Sequence, residues 1–181
     1  MDKKIAFLRG INVSGQRKVP MAELRSILSN NGFKGVKTYI QSGNVIFEEA
    51  DVSVPETKVS LEKIIKAHFG FEVPVLVKSV SDLHKIIRNN PFSRKEDLEA
   101  NRIYFVMLFG PPKKERLDLF RKEVYPHETW ELVEDCLYLC CKNGYGNAKL
   151  NNNLVERKLG LEATTRNYRT MLKLLEMGNA N

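Results

Sequence analysis

Fifteen side chains in two widely separated stretches carry the chemistry this sequence offers. The first stretch runs from Leu8 to Asn44 and holds LRGINVSGQRKVP and TYIQSGN. Its candidates are Arg9, Asn12, Lys18, Gln41, Ser42 and Asn44. The second runs from Asn143 to Asn167, NGYGNAKLNNNLVERKLGLEATTRN. It contributes Lys149, Asn151, Asn152, Arg157, Lys158, Thr164, Thr165, Arg166 and Asn167. Guanidinium forks, ammonium groups and amides placed at strand ends and helix starts hold carboxylates and phosphates. The two stretches together read as one composite site for an anion.

Each stretch also has a plainer reading. Gln41, Ser42 and Asn44 surround a turn, and Asn12 sits in a loop, where such residues serve the backbone. Gly144 and Gly146 make a flexible approach to a helix expected to start near Ala148. Its first-turn amides would face an anion, with Lys149 adding charge. This is neither the G-x-x-x-x-G-K-[ST] phosphate loop nor a dinucleotide fingerprint. Asn151, Asn152 and Asn153 are poor helix-interior residues, so contact with a ligand or neighbouring loop competes with a frayed entry. Arg157 and Lys158 could form a solvated face. Thr165 reads as the N-cap of the last helix, which leaves Arg166 exposed beside it. Tyr168 shares helical spacing with Met171 and Leu175, as core residues do.

Catalytic machinery is sparse. Neither stretch contains His or Cys, and their acids are Glu23, Glu156 and Glu162. No carboxylate pair is placed for metal-assisted phosphoryl chemistry, and no Ser-His-acid set can be drawn without borrowing His68, His84 or His127 from unrelated positions. Neither a metal nor a cofactor is expected. Catalysis by positioning and electrostatics stays open, with Arg9, Lys149 and Arg166 as electrostatic stabilisers.

Charge agrees with an anionic partner. Residues 1–41 hold 8 basic and 2 acidic side chains, and residues 142–173 hold 7 and 2. Residues 42–141 are net acidic, with 14 basic against 17 acidic groups, so the overall +7 comes from the two polar regions. The composition, 43% hydrophobic and 28% charged, is that of an ordinary globular chain. No run approaches the roughly 20 apolar residues of a membrane span, and the N-terminus lacks a signal-like apolar segment. These features predict a cytoplasmic protein with no membrane association. Cys136, Cys140 and Cys141 are odd in number and bunched, which reads as packing rather than a disulfide framework or zinc site.

The elements that must position these residues follow from periodicity. Ile5–Leu8 reads as a strand, and Pro20 opens a helix carrying Met21, Leu24, Ile27 and Leu28, ended by Asn31-Gly32. Val36–Gln41 and Asn44–Phe47 read as strands around a tight Ser42-Gly43 turn, followed by a linker at 48–51. Ser53-Val54-Pro55-Glu56 resembles a capping box before a second helix, and Val73–Val77 reads as a strand. The order β-α-β-β-α-β is ferredoxin-like. In that topology the first and third strands are central neighbours, which brings Arg9 and Asn44 to one edge.

Ser81-Asp82 opens a connecting helix, and 92–100 reads as a linker. A second set follows: a strand at Ile103–Phe109, a helix after Pro111-Pro112, and a hairpin around Glu134-Asp135. A helix closed by Gly160, a short edge strand at Leu161–Thr164 and a final helix complete it. The expected class is α+β, with two ferredoxin-like subdomains packed together, a connecting helix and a C-terminal helix. The expected boundaries are 1–79, 80–101 and 102–181. The halves share element order without a convincing sequence repeat.

LRGINVSGQRKVPMAELRSIL, TYIQSGNVIF, GYGNAKLNNNLVERKLG and ATTRNYRTMLKL resemble the signature segments of the DUF1697 family. The resemblance runs from the first strand to the last helix. It implies the same pair of ferredoxin-like subdomains and carries no established activity. Asn147 stands where many relatives have serine, and Tyr168 where many have tryptophan.

The leading functional reading is binding of a phosphorylated or nucleic-acid ligand at a basic, Asn/Gln-rich cleft between the subdomains. Phe7 and Phe47 lie on central strands, but QSGNVIFE lacks the signature of a sheet-face RNA reader. The alternatives are a structural lock between subdomains with no ligand, and an enzyme acting on a small anionic substrate. The oligomeric state is not written in the sequence.

Overall fold

The computed structural model describes residues 2–13, 15–49 and 52–180. The chain divides into two units, Met1–His84 with Lys173–Asn181, and Lys85–Leu172. In the first, β1 (Asp2–Leu8), β2 (Lys34–Tyr39), β3 (Asn44–Glu49) and β4 (Val75–Ser79) form an antiparallel sheet of order β2-β3-β1-β4. β1 and β3 are central, and Phe7 lies opposite Asn44. α1 (Met21–Asn30) and α2 (Val54–Phe69) supply Leu24, Leu28, Leu61 and Ile65 to a core with Ala6, Leu8, Val45, Phe47, Val75 and Val77. Each of the Leu, Ile, Val and Phe side chains stabilises the fold by about 1.5–3 kcal/mol. Ile5, Phe7 and Ile46, on the alternate face, are buried too. A continuous apolar run is the mark of a strand covered on both faces. Phe7 and Phe47, both fully buried, are therefore not a platform for stacking bases.

Local chemistry sets the helix ends. Ser53 and Glu56 form the expected reciprocal capping box at α2, and these hydrogen bonds hold the Glu56 carboxyl below its ordinary range. α3 (Val80–Arg88) begins earlier than Ser81-Asp82, because Ser79 and Asp82 make a second reciprocal cap. The connection after β2 spans the four residues Ile40–Gly43, longer than the expected Ser42-Gly43 turn, so Gln41 lies beyond the strand. β3 runs through Glu49 into the expected 48–51 linker; Ala50 and Asp51 lie outside the described residues. β4 starts at Val75 rather than Val73. The expected 92–100 linker contains the short helix α4 (Lys95–Glu99).

The second unit repeats the plan. β5 (Ile103–Leu108), β6 (Glu128–Val133), β7 (Cys136–Cys141) and β8 (Ala163–Asn167) form a sheet of order β6-β7-β5-β8. α5 (Lys114–Phe120) and α6 (Asn152–Leu159) supply Phe120, Val155 and Leu159 to its core. α7 (Tyr168–Asn179) closes the chain.

The two sheets correspond residue for residue at one end. Leu8 N–H donates to Gly43 O at 2.8 Å, and Leu108 N–H to Asp135 O at 2.8 Å. Arg9 N–H donates to Pro74 O at 3.0 Å, and Phe109 N–H to Glu162 O at 2.9 Å. At the other end, Ser79 lies opposite Lys4 and Asn167 opposite Tyr104, and both Ser79 and Asn167 cap the helix that follows. The repeat is one of hydrogen-bond geometry. Its residues differ, which is why the sequence shows element order alone.

Candidate functional site

The first polar stretch gathers at the C-terminal end of β1. The Leu8 and Arg9 amides tie the strand end to the Ile40–Gly43 turn and to Pro74. In the loop after β1, Val13 and Gln16 form a bridge and Asn12 N–H donates to Arg17 O at 3.1 Å. Asn12 has φ +54°. Its amide donates to Val19 O at 3.0 Å and Gln41 O at 2.8 Å, while its oxygen accepts Val19 N–H at 2.9 Å. One side chain thus closes the loop and fastens it to the neighbouring turn. Asn44 is fully buried and donates to Tyr39 O at 2.9 Å and Ser42 Oγ at 3.0 Å. Arg9 and Ser42 are half-buried, while Lys18 and Gln41 are exposed.

The second stretch leaves β7 through a 3-10 turn at Tyr145–Asn147. The helix starts at Asn152, not near Ala148, and the three asparagines explain why. Asn151 is its N-cap, accepting Leu154 N–H at 3.0 Å. Asn152 donates to Ala163 O at 3.1 Å and accepts the Thr165 hydroxyl at 2.8 Å. Its own N–H donates to Tyr145 Oη at 2.9 Å. Asn153 is an exposed first-turn residue. Glu156 accepts Ala163 N–H at 2.7 Å. β8 is an edge strand, and α6 therefore satisfies backbone groups that an open edge would leave unpaired. Glu62 of α2 does the same for β4, accepting Val75 N–H at 3.0 Å.

Three expectations for this stretch change. Thr165 is a β8 residue, and Asn167 caps α7 by accepting Thr170 N–H at 2.8 Å. The short edge strand is Ala163–Asn167, shifted from Leu161–Thr164. Arg166 is buried, only 7% exposed, because it lies within β8 rather than at an open helix start. It donates to Thr164 Oγ1 and Thr165 O, both at 2.8 Å, and burial pushes its pKa down to about 10. It stays cationic at neutral pH. Lys158 is paired with Glu123 at 2.6 Å, and this bond holds the Glu123 carboxyl below its ordinary range. Lys149 and Arg157 are exposed.

Two features escaped sequence reading. Tyr145, stacked on Tyr104 at 4.5 Å, is the hub of the second cluster, and its place inside GYGN was the available signal. Burial raises its phenol. Lys4, 7% exposed, donates to Glu49 and Thr57 at 3.0 Å each and to Val52 O. These three partners match the three protons of its ammonium group. Nothing in MDKKIAF distinguishes Lys4 from Lys3 except alternation along the strand.

Among the described residues, no cluster of His, Cys, Asp and Glu could hold a metal ion. The three cysteines are buried, and burial lifts the Cys141 thiol to about 12. Their burial suits packing. Among the described residues no helix is long and apolar enough to cross a membrane. The clusters are buried polar and basic assemblies suited to holding backbone or a ligand.

The chain belongs to the family described as protein of unknown function (DUF1697), whose model matches residues 1–138. The matched span contains the first polar stretch and ends before the second. The chain is also similar in structure to the conserved bacterial protein SP0830 from Streptococcus pneumoniae, with TM-score 0.79 and 26% identity. That alignment covers 98% of this chain and 99% of the other, so the likeness extends through the second stretch. No curated protein matches the chain.

Proposed function

We propose that this DUF1697 protein binds an anionic, phosphate-bearing ligand, a small molecule or a nucleic acid, through the exposed cations of its two polar stretches. A division of labour supports this reading. The amides of Asn12, Asn44 and Asn152 are spent on backbone and hydroxyl partners, which makes their loops rigid. Lys18, Lys149 and Arg157 are exposed and form no salt bridge among the described residues. Cations on rigid loops lose little freedom when they meet an anion. The net positive charge of both regions supports the same conclusion.

The test is amide chemical-shift mapping with a short single-stranded oligonucleotide and, separately, pyrophosphate. Shifts confined to residues 9–18, 40–44 and 149–167 are expected. Shifts elsewhere, or none, would end the proposal. A purely structural role is the second reading, and the same amide bonds favour it. It predicts that Asn12→Ala and Asn152→Ala lower thermal stability while no anion perturbs the wild-type spectrum.

A further inference from the structure

Ile40 sits in a backbone conformation that its side chain resists. Its φ is +51°. Asn12, Arg17, Asn101 and Glu134 are the other non-glycine residues with positive φ among those described, and Ile40 alone is β-branched. A branched Cβ crowds the backbone in the left-handed region, where Gly or Asn sits readily. Burial does not explain its retention, since Ile40 is 49% exposed. Strain held at an exposed position is a pointer to function.

Its surroundings indicate what it would touch. Asn12 donates to Gln41 O at 2.8 Å, so the turn carrying Ile40 is fastened to the loop carrying Val13. Val13 is 60% exposed, a second aliphatic group facing water. Gln16, Arg17 and Lys18 are exposed on the same loop, and Gln41 is exposed on the turn. Segments 9–20 and 39–45 contain no acidic residue. Two exposed aliphatic groups and two exposed cations on hydrogen-bonded neighbouring segments suit a ligand that joins negative charge to a poorly hydrated group.

Resting on the proposed anion binding, we infer that this loop pair recognises a nucleotide unit, with Ile40 and Val13 against the base and Arg17 and Lys18 on the phosphate. A free nucleotide and a nucleotide within a single strand share this chemistry. Aliphatic packing on a base face is indifferent to sequence, so preference among bases should be slight.

The experiment compares binding of a single-stranded oligonucleotide, an abasic strand of equal length and charge, and a nucleoside monophosphate. The wild type should bind the base-bearing strand several-fold more tightly than the abasic strand. Ile40→Asn should abolish that difference and raise Tm by a few degrees through relief of strain. Val13→Ser, which alters no strained position, should also reduce the difference, so the inference remains testable if Ile40→Asn folds poorly. Binding of the monophosphate places the source in free nucleotides; its absence beside strand binding places it in nucleic acid. Equal wild-type affinity for the two strands would overturn this inference and leave anion binding intact. No binding of any probe would overturn both.

Discussion

Gly43 shows how tightly the first cluster is built. Its φ is +79°, and a Cβ there would lie 2.7 Å from both Leu8 Cβ and Ile11 Cδ1. Left-handed backbone costs a non-glycine residue about 1–2 kcal/mol. Overpacking adds about 1–3 kcal/mol. Gly43→Ala should therefore destabilise the protein by about 2–5 kcal/mol, read as a lower urea midpoint with an unchanged m-value. The residue types of this cluster were legible, because Arg, Asn and Gln at a strand end announce polar work. Their assignments were less so. Asn12 and Asn44 serve the backbone, and that depends on partners at Val19 and Tyr39 that no local pattern identifies. Arg166 was misread because β8 continues to Asn167, and one strand position decided between burial and exposure.

Edge protection is the element-scale device that the two units share. Glu156 reaches back from α6 to β8, and Glu62 from α2 to β4, each accepting the first N–H of its edge strand. Ala163 lies opposite Leu108 as Val75 lies opposite Leu8, so the two bonds are equivalent. Glu156→Ala should cost about 1–3 kcal/mol by leaving a backbone donor unmatched. Hydrogen exchange at the Ala163 amide should accelerate more than at neighbouring β8 amides. Uniform acceleration across β8 would mean that Glu156 acts through packing instead. The strands, the capping box at Ser53 and the Gly160 stop were readable from period and punctuation. The Glu–edge pairing was not, since Glu62 and Val75 are 13 apart in sequence and Glu156 and Ala163 only 7. A repeat held in geometry and loosened in spacing leaves no trace in a linear comparison.

For the molecule as a whole, the sequence stated architecture more fully than purpose. Two βαββαβ sets were legible because each needs only hydrophobic period and turn signals. Ligand chemistry was legible as a charge imbalance, +6 in the first 41 residues and +5 in residues 142–173. The claim that both regions bind anions is measured most directly by binding of a single-stranded oligonucleotide across a salt series. For single strands, log K falls with log salt at about 0.7 per neutralised phosphate. Lys18→Ala and Lys149→Ala should each weaken binding and each flatten that slope by about 0.7. A wild-type affinity independent of salt, or a slope unchanged by either substitution, would contradict the account.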